Sequence, residues 1–388
     1  MTDPLPNEAE PADRPLRVAV VGVGHLGQHH ARILAATPGV QLVGVADARA
    51  EQARAVAGRV GTYAFDDYRA LVRRVDAVSV AVPTFLHREV AAAFLAEGVA
   101  AMVEKPLAAT LDDAEALVDL ARDRGAVLQV GHIERFNPAL SALDGMALRP
   151  KYVTAERLST YTFRSTDVGV VLDLMIHDID LLLSMVDAPV RSVAAVGVSV
   201  FGGHEDIANA RIEFENGVVA DLTASRASYQ AVRKMRLYGP EGYASLDFAT
   251  RQGTLIRPSE PLRRGEVDLD GLDMTQPAAI KDRVFGKILR VDKVQAEGRE
   301  PLALELEDFV QAARGLHPPR VGGEDALRAM RLADQIIRSI NAHAWDDSPD
   351  GPTPAPAARS AGHALRGPIS WRLQTPRPAA SASNPPGV

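Results

Sequence analysis

Residues Arg17–Gly27 read RVAVVGVGHLG, an apolar run that passes directly into glycines spaced G-x-G-x-x-G. Such a run suits a parallel strand covered on both faces, and the glycines suit its turn into a helix. Gly22 permits the tight turn, Gly24 lets a diphosphate approach the backbone, and Gly27 lets helix and strand pack closely. Val23, His25 and Leu26 complete the loop. The free amides and positive dipole end of the following helix then face the diphosphate.

Three glycines alone are a weak pattern, so their setting matters. From Leu16 to Gly131 short β-branched runs (RVAVV, QLVGVA, AVSVAV, AAMV, VLQV) alternate with Ala-rich amphipathic stretches. This is a βαβ series and predicts a doubly wound parallel sheet. Asp47 closes the second run, 20 residues after Gly27. A carboxylate there accepts hydrogen bonds from ribose hydroxyls and repels a 2′-phosphate, so NAD is the expected cofactor and NADP is disfavoured. Arg49 nearby softens that preference. Thr110 with Asp113 predicts a helix start, and Thr37-Pro38-Gly39 a helix end.

After Asn137 the pattern changes to longer alternating strands such as YVTAERL, ARIEF and VVADLTA, with turns at ENG and GPEG. These predict an α+β domain built on a large, open, mainly antiparallel sheet. Four segments follow: a disordered N-terminal segment 1–15, a dinucleotide domain 16–133, a substrate and oligomerisation domain 134–345, and a Pro/Ala-rich, mostly disordered tail 346–388. Within the tail, PISWRL around Trp371 is compatible with a docked strand. An open sheet face commonly pairs with another subunit, so a homodimer or homotetramer is expected.

Composition narrows the function. The 388 residues are 46% hydrophobic and 24% charged, with formal net charge -7 and no cysteine. Disulfides and thiolate metal sites are excluded, and there is no global attraction to nucleic acid or anionic membrane. The N-terminus lacks the basic start and apolar centre of a secretory signal, and no apolar run approaches the roughly 18 residues of a membrane span. A cytoplasmic protein is expected.

Two motifs carry chemistry. MVEKP ends the fifth apolar run and brings Lys105 to the carboxyl edge of a parallel sheet, where ligands bind. Lys105 there suits an oxygen that gains negative charge, and equally a solvated loop. Asp173 and His177 lie four residues apart in the apolar run VVLDLMIHDIDLLL. At helical spacing they share a face, so the carboxylate can orient the imidazole. A helix cap and a core histidine would produce the same spacing. Asp178 and Asp180 flank His177, but no metal site is expected. His29 and His30 read as a solvated or packing face.

GVGHLG, EKP and DLMIH, in this order along the chain, resemble the Gfo/Idh/MocA family of NAD(P)-dependent sugar and polyol oxidoreductases, over about Leu16 to Ala344. The resemblance implies catalytic roles for Lys105, Asp173 and His177. It places Val82, Pro83, Thr84, His87 and Glu104 beside the cofactor, with Lys105 and the residues already named. GHIERFNPA from Gly131 to Ala139 and FRSTDVGVVLDLMIHDID are similar to the family's nucleotide-sugar branch, implying oxidation at C3 of UDP-N-acetylglucosamine. Ile133, where many members have asparagine, and the absence of a glycine pair before Asp173 set the chain apart from inositol and glucose dehydrogenases. A polyol or free-sugar dehydrogenase, or a non-catalytic NAD- and sugar-sensing protein, are the alternatives.

Hydride loss from a carbinol requires a base for the hydroxyl proton. His177 is the expected base, oriented by Asp173, with Lys105 stabilising the developing charge; the roles of Lys105 and His177 are interchangeable at this level. A diphosphate-bearing substrate needs local cations, and Arg157, Arg164 and Arg226 are candidates. Arg135 and Asn137 lie where the chain leaves the first domain and are expected near the substrate, although Asn137 also suits an N-cap.

Overall fold

The computed structural model describes residues 14–144, 146, 148–161, 168–201, 204–267 and 284–343. Residues 1–13 and the tail after 343, including the Trp371 segment, lie outside the described residues.

Strands β1 (Leu16–Val21), β2 (Val40–Ala46), β3 (Tyr63–Phe65), β4 (Ala77–Val80), β5 (Ala100–Glu104) and β6 (Leu128–Gly131) form one sheet in the order β3-β2-β1-β4-β5-β6. All its pairings are parallel. Helices α1 (Gly27–Ala36), α2 (Ala50–Val60), α3 (His87–Leu95) and α4 (Leu111–Arg124) provide crossovers. The near-continuous apolar runs are explained by burial on both faces: Val18, Val20, Val78, Val80 and Val103 are inaccessible to solvent. The strand order reverses between β1 and β4, so their carboxyl ends open a crevice. As the pattern predicts, Thr110 Oγ1 accepts from the Asp113 amide at the start of α4, and Gly125 closes that helix in a left-handed conformation.

The second sheet contains β7 (Tyr152–Leu158), β8 (Val190–Val198), β9 (Ile207–Phe214), β10 (Val219–Ser225), β11 (Val232–Gly239), β12 (Gly242–Asp247), β13 (Gln252–Pro258) and β14 (Leu289–Gln295). Its order is β14-β13-β12-β11-β7-β10-β9-β8, antiparallel except between β7 and β10. Alternation sorts its faces. Val153, Ala155, Ala220, Leu222, Met235 and Leu237 point into a core, whereas Tyr152, Tyr238 and Tyr243 lie opposite one another across three strands, ring centres 5.5 and 5.0 Å apart.

Between β7 and β8 runs a π-helical turn, Val171–Met175, continued by α5 (Ile176–Met185). After β13 come the short α6 (Glu260–Arg263), then α7 (Pro301–Ala313) and α8 (Gly323–Ala342). Both long C-terminal helices return to the first sheet. Leu302, Leu306, Phe309 and Val310 of α7 pack with Val18, Val20 and Met102. Fully burying a side chain such as Leu306 or Phe309 contributes about 1.5–3 kcal/mol, so this stripe is a substantial anchor. Helix α8 places Ala326, Leu327 and Met330 in the first core and Leu332, Ala333, Ile336 and Ile340 in the second. The chain after 133 therefore completes the first core as well as building the second. Among the described residues no helix is long and apolar enough to cross a membrane.

Candidate active site

The glycine turn is shaped by three different constraints. Gly22 has φ +82°, and a Cβ on it would lie 2.7 Å from the Ala81 carbonyl group and the Val82 amide. A Cβ on Gly27 would lie 1.8 Å from the Gly22 oxygen. Around Gly24, by contrast, the nearest atom to such a Cβ is the Arg49 guanidinium at 4.0 Å. Two glycines are thus demanded by packing and the third leaves an open approach to backbone. No side chain caps the start of α1, and His25 and Leu26 are exposed beside it. The arrangement fits a dinucleotide diphosphate at the helix N-terminus.

Asp47 ends β2 at the same crevice, where its Oδ2 accepts from the Val23 amide (3.0 Å) and its Oδ1 from the Arg49 amide (2.9 Å). It therefore shapes the glycine loop in addition to presenting a carboxylate. Val82, Pro83 and Thr84 leave β4 against the Gly22 turn. Two residues expected beside the cofactor are turned elsewhere. The buried His87 ring lies between the carbonyl oxygens of Pro106 (2.8 Å) and Val82 (3.0 Å), joining two loops from within. Glu104 points away from its neighbour Lys105, toward His30 Nε2 at 3.0 Å from its Oε1, because alternation along β5 sends them to opposite faces.

Lys105 at the end of β5 reaches the π-helical turn. Its Nζ donates to the Asp173 carbonyl oxygen (2.7 Å) and to Asp173 Oδ1 (3.1 Å). The Asp173 carboxylate thus holds the lysine, and the orientation of His177 by Asp173 is corrected: the π turn alters the helical phase that an i, i+4 reading assumes. Asp173 is not the helix cap either. Glu205, from the segment before β9, accepts the Val171 amide on Oε1 (3.1 Å) and the Val170 amide on its carbonyl oxygen (2.9 Å). Gly169 admits that carboxylate, since a Cβ there would lie 2.0 Å from Glu205 Oε1.

His177 is buried, and its ring meets that of His132 edge-on, centres 6.3 Å apart. Neither Nδ1 has a hydrogen-bond partner among the described residues. Burial, followed by the positive charges of Lys105 and Arg157, holds the His177 pKa well below the ordinary value of 6.5. The ring is consequently neutral at pH 7.

The residues expected at the substrate divide. Arg157 is buried and engaged by two carboxylates: Nε and Nη2 donate to Asp178, and Nη1 to Glu134. It joins β7, α5 and the turn after β6, which corrects its assignment to phosphate. Arg226, also buried, donates to Asp206 Oδ1 (2.6 Å) and to the Val168 carbonyl (2.9 Å), and is likewise a structural tie. Asn137 caps the turn beginning at Pro138 by accepting the Ala139 amide, while its Nδ2 donates to Glu134 and to the Phe248 carbonyl. Its capping alternative is the one realised. Arg135 Nε lies 3.7 Å from Asp180 Oδ2, close to His132 in chain and space. Arg164 lies outside the described residues.

Arg233 emerges in their place. It opposes Arg157 across β7 and β11, so it belongs to the sheet's inner face, yet it is exposed at the strand end. Its side chain has no ion pair or hydrogen bond among the described residues, and its charge is felt by His177. The alternation V-R-K-M-R-L was the available signal. Among the described residues, no group of three or more His, Asp and Glu side chains is arranged to hold a metal.

Two family models match the chain: an oxidoreductase family with an NAD-binding Rossmann fold over residues 16–132, and a GFO/IDH/MocA C-terminal domain over 146–245. A UDP-N-acetylglucosamine 3-dehydrogenase from Acidithiobacillus ferrooxidans is 36% identical over 328 residues, covering 84% of this chain and 98% of the relative. The chain belongs to the Gfo/Idh/MocA family. A solved structure of that dehydrogenase matches with TM-score 0.74 at 35% identity, over 84% of this chain and 97% of the other. The scyllo-inositol 2-dehydrogenase (NAD(+)) of Bacillus subtilis is more distant, 30% identical over 58% of this chain and 72% of its own length. As a Gfo/Idh/MocA member, the protein is an oxidoreductase with a nicotinamide-binding fold.

Within this family fold, the Ser79–His30–Glu104 chain lay beyond the sequence reading. His30 is buried, shares a hydrogen bond with Ser79 at 2.7 Å and faces Glu104, so at His30 the packing alternative of the His29-His30 reading is the one realised. A serine interrupting the apolar run AVSVAV was the visible hint.

Proposed function

We propose that this chain oxidises the C3 hydroxyl of UDP-N-acetylglucosamine to the 3-keto sugar with NAD. The convergence of Lys105, Asp173 and His177 at the carboxyl edge beside an open glycine cradle carries the reaction type. The 36% identity to the Acidithiobacillus enzyme over nearly its whole length supports the nucleotide sugar. Bound NAD supplies the hydride acceptor.

Lys105, steadied by Asp173, stabilises charge on the carbinol oxygen as the C–H bond breaks. His177, held neutral by burial and by nearby cations, takes the hydroxyl proton. Arg135 near His132 and Arg233 at the mouth of the second sheet meet the polar substrate, Arg233 suiting a phosphate because its donors are unengaged among the described residues. Arg164 is retained as a second phosphate ligand. Asp47 favours NAD over NADP. Subunits associate through the outer face of the eight-stranded sheet.

Incubation with UDP-N-acetylglucosamine, its uronic acid, inositol or glucose, with NAD or NADP, tests the proposal through NADH or NADPH absorbance. Turnover of the acetylglucosamine nucleotide with NAD is expected. Activity on inositol alone would establish the polyol reading, which the scyllo-inositol relative favours. Cofactor binding without turnover of any sugar would establish a sensing protein.

A further inference from the structure

One face of the first sheet carries an unusual polar island. Register places Val20, Ser79 and Met102 side by side, then Met102 and Gln129, with Glu104 two residues beyond Met102. Ser79, Glu104 and Gln129 therefore share the face that also bears Val18, Val20 and Met102, beneath α1 and α7. From α1 comes His30, and from α7 comes Glu305, within the buried stripe Leu302, Leu306 and Phe309. Gln129 Nε2 donates to the Glu305 carbonyl oxygen at 3.0 Å.

Glu305 is inaccessible to solvent, and neither carboxyl oxygen has a hydrogen-bond partner among the described residues; Gln129 Oε1 is also unmatched. An ionised carboxylate so placed would be removed from bulk solvent with no donor among the described residues. Its charged neighbours are hostile: Glu104 on β5, Asp308 on its own helix, Asp180 on α5 and Glu134 after β6 all oppose ionisation. Burial opposes ionisation of Glu104, but the hydrogen bond with His30 and the nearby Lys105 charge bring its pKa below the ordinary carboxyl range overall.

We propose that Glu305 retains its proton in the folded protein and, with Ser79, His30, Glu104 and Gln129, forms a buried proton-holding cluster behind Lys105. The proton supplies the donor that the unmatched acceptors lack and leaves Glu104 as the cluster's single carboxylate. The Lys105 amide faces Glu104 Oε2 at 3.3 Å, so the state of this cluster sets the strand end that presents Lys105. Glu305 is thereby a positioning residue, a role that rests on the dehydrogenase reading; its protonation does not.

Burial, followed by the neighbouring carboxylates, pushes the folded pKa of Glu305 up, so above the unfolded glutamate range, near about 4.3, the folded state binds more protons. Stability is then progressively lost as pH rises toward the folded pKa. Glu305→Gln preserves the shape without that proton, so its melting temperature should gain on the wild type as pH rises, and the infrared carbonyl band of a protonated carboxylic acid, present in the wild type at neutral pH, should vanish in the variant. A pH-independent melting difference, or a wild-type spectrum without that band, would overturn the proton assignment. For the positioning role, Glu305→Ala should lower kcat at least about tenfold with Glu305→Gln restoring it; unchanged kcat in Glu305→Ala would overturn that role. If the wild type turns over no sugar, the dehydrogenase reading fails while the infrared and melting results still decide the proton.

Discussion

Lys105 Nζ contacts Asp173 twice, at the carbonyl oxygen (2.7 Å) and at Oδ1 (3.1 Å). The first contact fixes the lysine to the backbone of the π turn and the second matches its charge. A side-chain substitution at Asp173 removes only the second. Asp173→Asn should therefore lower kcat less than Lys105→Ala, for which a loss of roughly 10²–10⁴-fold is expected while NAD binding persists. Steady-state kinetics with a separate NAD titration distinguishes chemistry from binding, and equal losses would count against the backbone contact.

His177 links the site to pH. Its folded pKa lies well below 6.5, so below pH 6.5 the unfolded chain binds the extra proton and stability falls with acidification. One such group contributes at most about 1.4 kcal/mol per pH unit. Denaturant titrations of wild type and His177→Asn between neutral and acidic pH should differ in that slope. In Lys105→Ala the His177 pKa should rise, because a nearby cation is gone, and NMR titration of the ring reads this directly.

The glycine turn separates binding from folding. Gly27→Ala drives a methyl into the Gly22 carbonyl and should cost about 1–3 kcal/mol or fail to fold. Gly24→Ala meets nothing nearer than 4.0 Å and should keep its melting temperature while losing NAD affinity. Calorimetry paired with NAD titration tests both. Unimpaired affinity in Gly24→Ala would remove that glycine from the cofactor site.

Asp47 and Arg233 address specificity. Asp47→Ser, leaving Arg49 in place, should shift the NAD to NADP ratio of kcat/KM at least about tenfold, or roughly 1.4 kcal/mol. Arg233→Ala should raise KM for a UDP-sugar with little change in KM for NAD. An unchanged sugar KM would leave the diphosphate to residues outside the described ones.

The first sheet was legible because each strand is buried on both faces and each turn carries its own punctuation. The second was legible through alternation, as in Tyr152–Leu158. What escaped involves partners distant in sequence. Glu205 caps a helix more than 30 residues before it (|i−j| = 34 to Val171), and Gln129 meets the backbone of Glu305 at |i−j| = 176. Arg157 and Arg226 illustrate the same limit: a strand-end arginine suits phosphate until tertiary folding brings Asp178, Glu134 or Asp206 beside it. The π turn is a further case, since the apolar pattern around Asp173 is compatible with a regular helix.

Lys105 and His177 are proposed to act together on a nucleotide-sugar carbinol. Single-turnover NADH formation from UDP-N-acetylglucosamine, compared between wild type and His177→Asn with NAD bound to both, tests it most directly. NADH is expected in the wild type, with a loss of at least about 10²-fold in the variant. Equal rates in the two proteins, or no NADH from the wild type, would contradict it.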